Sequence, residues 1–126
     1  MSFDSLGHLD LPFNASGDLS AKQYRFVTVD SNGRMAVATR GALAIGILQD
    51  KPAAIDRSGA VRVVCGTVSK VVVGTGGLTK GQVIVSDANG AAVTAASSDN
   101  AYLGFALEAG SAGDIIAMLW QPRGLS

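Results

Sequence analysis

Tyr24-Arg25-Phe26-Val27-Thr28-Val29 is an aromatic and β-branched run that leads straight into Asp30-Ser31-Asn32-Gly33. Such side chains suit a pleated, half-buried strand. Asn-Gly supplies the positive φ angles that a tight hairpin turn needs. Met35 to Ala38 is then the returning strand. Outward from this hairpin the same code repeats. Ala42 to Leu48 is a second apolar run, stopped near Asp50 and Pro52, and Ala53 to Gly59 reads as a polar loop. Val61 to Val73 is rich in Val and broken near Gly66 and Ser69, which predicts two strands. After the turn Gly74 to Gly77 come Gln82 to Ser86, Ala91 to Ala95, Tyr102 to Leu107 and Asp114 to Trp120. Short runs with turn signals between them predict an all-β barrel or sandwich. Leu19 to Gln23 and Ser97 to Ala101 leave room for a short helix at most.

The hairpin has an echo further along the chain. Asp30-Ser31-Asn32-Gly33 recurs as Asp87-Ala88-Asn89-Gly90, and Ile45-Gly46-Ile47 as Leu103-Gly104-Phe105. Leu19-Ser20-Ala21-Lys22 is echoed by Leu78-Thr79-Lys80-Gly81, and Gly59 by Gly113. The expectation is one β domain built from two pseudo-repeated halves.

Residues 1–20 differ from the rest. Phe3, Leu6, Leu9, Leu11 and Phe13 are apolar but keep no period, and Gly7, Pro12, Asn14 and Gly17 interrupt any regular element. The segment reads as an extended N-terminal arm ahead of a single β domain over 21–126. A purely solvated tail needs no Phe or Leu, so the arm either folds back on its own domain or docks on a neighbouring subunit. The last strand is apolar on both faces. Ile115, Ala117 and Leu119 share one face, and Ile116, Met118 and Trp120 share the other. A sheet with one wet face should alternate with polar residues. The second trio is therefore a candidate subunit-contacting face, beside the arm residues Phe3, Leu6, Leu9, Leu11 and Phe13.

Composition bounds the function. The chain has 126 residues, with 10 Lys plus Arg against 10 Asp plus Glu, so its formal net charge is zero. That balance argues against a direct nucleic-acid partner, whose affinity needs clustered basic residues. Charged residues make up 16%, sparse beside an average domain near 25%, while apolar residues are abundant enough to argue against disorder. The apolar runs, such as Gly41 to Leu48, fall far short of the roughly 18 residues that span a bilayer. No membrane partner is expected. The start of the chain has no basic n-region of a secretory signal.

Chemistry is hard to assemble from these residues. His8 is the one histidine and lies in the arm, Cys65 is the one cysteine, and Glu108 is the one glutamate. These give no nucleophile–base pair on a rigid scaffold and too few soft ligands for a metal. Most aspartates sit at turns, where they cap their own backbone. Cys65 reads as a small buried strand residue. Gly74 to Gly81 has Lys-Gly where a phosphate loop needs Gly-Lys, and it leads into a strand rather than a helix. No enzyme, cofactor or metal is expected.

Several pieces, in order, resemble the tailed-phage capsid cement, or head decoration, proteins. They are Gly17-Asp18-Leu19-Ser20-Ala21-Lys22-Gln23-Tyr24-Arg25-Phe26-Val27, then Ala44-Ile45-Gly46-Ile47-Leu48-Gln49-Asp50-Lys51-Pro52-Ala53, then Val61-Arg62-Val63 through Gly66-Thr67-Val68-Ser69-Lys70-Val71. Leu78-Thr79-Lys80-Gly81-Gln82, Gly104-Phe105-Ala106-Leu107-Glu108-Ala109 and Ala112-Gly113-Asp114-Ile115 complete the match. The resemblance implies a β-barrel or β-tulip domain on the outer surface of an icosahedral head. It implies the major capsid protein as partner and self-association, as a homotrimer or a dimer. It further implies synthesis in the host cytoplasm, a virion location, and a mechanical role in bridging capsid subunits. The competing reading is a small β-clip-like module that binds a ligand or carbohydrate, with Arg25, Arg62 and Tyr102 as the available lining groups.

Overall fold

The computed structural model describes residues 10–96, 99 and 101–124, and those residues contain strands and turns but no helix. The strands are β1 (Asp10–Asn14), β2 (Phe26–Val29), β3 (Met35–Val37), β4 (Gly46–Leu48), β5 (Ser58–Arg62), β6 (Thr67–Val72), β7 (Val83–Ser86), β8 (Ala92–Thr94), β9 (Ala101–Ala106) and β10 (Ile115–Gly124). They form two five-stranded sheets in the orders β1-β5-β4-β2-β3 and β6-β10-β9-β7-β8. Every named pairing is antiparallel. The all-β expectation holds. The strands are laid out as two open sheets rather than as a closed barrel.

The two orders are the same topology executed twice, which is the pseudo-repeat anticipated above. Local chemistry repeats with it. Asp30 Oδ1 accepts hydrogen bonds from the N–H groups of Asn32 and Arg34, and Asp87 Oδ1 accepts from those of Asn89 and Ala91. Each aspartate thereby fixes the turn of its own hairpin, β2–β3 or β7–β8. In each half a strand glycine lies against the neighbouring strand. Gly46 pairs with Val27 in the first sheet, and Gly104 with Ile84 in the second. A Cβ on Gly46 would collide with the carbonyl oxygen of Arg62, and one on Gly104 with that of Leu119. The proposed match of Gly59 with Gly113 does not follow: strand pairing places Gly59 opposite Phe13 in β5, whereas Gly113 precedes β10.

The core follows the repeat. Ala15, Leu19, Val27, Met35, Leu48 and Val61 form a cluster within the first half. Val73, Leu78, Ile84, Ala92, Ala106 and Met118 hold the corresponding positions in the second, inside a larger cluster. That larger cluster also takes in Phe26, Ala38 and Ile47 from the outward face of the first sheet, together with Trp120. Phe26 and Trp120 stack with ring centroids 6.0 Å apart and 28° between planes. Trp120 Nε1 also donates to the Val63 carbonyl at 3.3 Å. The halves are therefore joined through one face of the first sheet.

Several expectations need correction. Ile116, Met118 and Trp120 are buried in the domain's own core, so they cannot form a subunit-contacting face. The outward trio is Ile115, Ala117 and Leu119. Core space decides the register, because the largest side chain of the strand fills the seam between the halves. Residues 10–14 of the predicted arm form β1, an edge strand on β5, where Pro12 costs no ladder hydrogen bond. Ser58 and Gly59 belong to β5 rather than to a loop. Ser69 does not break its strand: it is buried mid-β6 and its Oγ accepts from Gln49 Nε2. The break falls at the turn containing Cys65 and Gly66, which leaves Cys65 exposed. Leu19 to Gln23 is a succession of turns.

Losing either turn aspartate removes two hydrogen bonds. Asp30→Ala and Asp87→Ala are each expected to cost about 1 kcal/mol, and the double variant about 2, because the turns share no partner. Urea midpoints at unchanged slope test this.

Candidate interaction surface

On the outward face of the second sheet an apolar row crosses four of the five strands, with Lys70 of β6 exposed beside it. Val68 of β6 pairs with Leu119 of β10, Leu119 with Phe105 of β9, and Phe105 with Val83 of β7. These four side chains form one row across the sheet. Val68 is 47% exposed and Phe105 40%. Further along the same strands, Leu107 is 37% and Ile115 54% exposed. Large apolar side chains grouped on one exposed sheet face mark contacts with other macromolecules. Beside the row lies a cleft of about 310 Å³ lined by Val83, Tyr102, Gly104, Phe105, Gln121 and Arg123.

The equivalent row in the first half has a different fate. Asp10 pairs with Arg62, Arg62 with Ile47, and Ile47 with Phe26. Ile47 and Phe26 are wholly buried against the second half. The remaining end of the row is an ion pair, Arg62 Nε to Asp10 Oδ1 at 3.0 Å. The end of the first-half row is charged, and the same positions of the second half, Val68 and Leu119, are apolar.

Two further ion pairs are local. Arg34 bonds both carboxylate oxygens of Asp56, and this hydrogen bonding holds the Asp56 carboxyl below its ordinary value. Arg40 pairs with Asp99 at 3.0 Å. Among the described residues no group of three or more His, Cys, Asp or Glu converges as a metal site would require. The lining groups considered for a ligand module do not meet. Arg25 donates to the Asn89 carbonyl, Arg62 to Asp10 and the Val68 carbonyl, and Tyr102 lines the apolar cleft without either of them.

Of the candidate arm residues, Phe3, Leu6 and Leu9 lie outside the described residues. Leu11 is exposed on β1, and Phe13 is half-buried against the first-half core. The outward row was missed in the sequence because it is assembled from four strands. Its one local sign is that strand Asp114 to Trp120 is apolar on both faces.

The phage cement protein family matches residues 5–119. No curated protein matches in sequence. Among solved structures, the chain is similar to the head fiber gp8.5 N base of bacteriophage phi29, with TM-score 0.73 and 14% identity, over 94% of this chain and 98% of that one. At that identity the likeness is one of fold.

Proposed function

The chain belongs to the phage cement protein family, and from that premise we propose that it binds the outer surface of an icosahedral phage head and bridges neighbouring major capsid protein subunits. It is a capsid-associated structural protein of the virion, and its work is adhesion rather than catalysis. The family match over residues 5–119 carries this reading. The chain's own chemistry supports it. Apolar residues exposed on a rigid sheet provide contact area, and zero net charge removes long-range repulsion between copies crowded on a shell. Several modest contacts, repeated within one oligomer, bind through raised effective concentration without any single tight site. The partners are the major capsid protein and further copies of this chain, and assembly follows synthesis in the host cytoplasm.

Bridging makes a mechanical prediction. Heads saturated with the protein should withstand a higher temperature or loading force before rupture than undecorated heads. Binding without any gain in rupture threshold would contradict the cementing role. Residues 1–9 are expected to add shell contacts, so a chain starting at Asp10 should bind shells more weakly while unfolding at the same urea concentration. Equal binding by the shortened chain would remove the arm from the account.

A further inference from the structure

We propose that the outward face of the second sheet is the docking site for a second copy of this chain, placed head to tail so that the contact between the two halves is repeated between molecules. The inference deepens the self-association in the proposed function and rests on that part of it alone.

The template lies within the molecule. One outward row, Phe26 and Ile47, is buried under the second half, with Trp120 stacked on Phe26. The row at the same positions of the second sheet, Val83 and Phe105 with Leu119 and Val68, is left partly or largely exposed among the described residues. The surface that would cover it also exists. Trp120 and Leu103 of the second half correspond to Val63 and Ile45 of the first, since each pair holds the same place beside β10 or β5 and beside Gly104 or Gly46. Val63 and Ile45 are half-buried, and they pack on the first-half core with an apolar side still open. The second sheet therefore offers the face, and the first half of another copy offers its complement. The open row borders the established seam at Val68, whose carbonyl accepts from Arg62 of the first half.

Sequence differences between the halves fit this placement. The Asp10–Arg62 ion pair ends the first row at the margin of the seam, where Arg62 Nη1 also donates to the Val68 carbonyl of the second half. Val68 and Leu119 replace it in the second row, which removes the charge and extends the apolar surface. A charged pair is suited to a wet edge, and an apolar pair to a covered one. The two surfaces are different, so the contact is not self-complementary. A head-to-tail contact of this kind closes only as a ring of copies.

Cysteine trapping tests this. The Phe26–Trp120 stack, moved one half along, places Val83 of one copy beside Val63 of the next. In a Cys65→Ser background, Val83→Cys and Val63→Cys chains are prepared separately, mixed, and oxidised, both free and on expanded shells. The expected result is a band at twice the chain mass from the mixture and none from either variant alone. A doubled band from Val83→Cys alone would mean that two like faces pair, which overturns the head-to-tail arrangement. No doubled band from the mixture, free or shell-bound, would overturn the second-copy assignment and give the face to another occupant such as the capsid protein. Shell binding is scored in the same pellets, so loss of capsid affinity is distinguished from loss of self-docking.

Discussion

Gly104→Ala should be strongly destabilised. Gly104 sits in β9 at φ +147°, a conformation that L side chains rarely adopt, and an added Cβ would run into the carbonyl oxygen of Leu119. Strained backbone costs about 1–3 kcal/mol, and forcing extra atoms into a packed interior costs roughly another 1–3. A combined loss of about 2–6 kcal/mol is a large part of the roughly 5–15 kcal/mol that holds a domain together. The obstacle is backbone in the central β9–β10 pairing, so no side-chain rotation relieves it. Gly46→Ala meets the Arg62 carbonyl in the same way without the positive φ, and should lose less. Urea unfolding of both variants tests the order. Near wild-type stability for Gly104→Ala would contradict the strand pairing described here.

Trp120→Ala is the second large effect. Trp120 is fully buried, stacks on Phe26 and donates to the Val63 carbonyl. Truncating a buried aromatic costs about 3–5 kcal/mol through lost transfer energy and the cavity left behind. The cavity would open between the halves. The expected signature is a loss of stability and weaker protection from hydrogen exchange at the Phe26 amide, which donates across the seam to the Gly90 carbonyl at 2.8 Å. Trp120→Phe keeps a ring against Phe26 and should recover most of the loss. If Trp120→Ala cost under about 1 kcal/mol, the residue would belong on the surface, as the strand's alternation alone suggested.

That error shows where the sequence was readable. The hairpin turns were legible because their chemistry is local: Asp at the first position and Asn-Gly at the end specify a turn whatever surrounds them. Gly46 and Gly104 were legible as a repeat for the same reason. The inward face of β10 was not, because Ile115, Ala117 and Leu119 are as apolar as the residues that alternate with them. Only the space beside Phe26 distinguishes the two trios. β1 was hidden because Asp10-Leu11-Pro12-Phe13-Asn14 has little strand character of its own. Its partner β5 lies far along the chain and supplies the order. The candidate surface was legible in kind, as an apolar face in need of cover, but it was placed on the wrong side of the last strand.

The central claim is adhesion to a phage head, and co-sedimentation with expanded, undecorated shells addresses it directly. The account predicts saturable binding at micromolar protein, with a fixed number of copies per shell. Protein that stays in the supernatant at every concentration, while remaining folded, would contradict it.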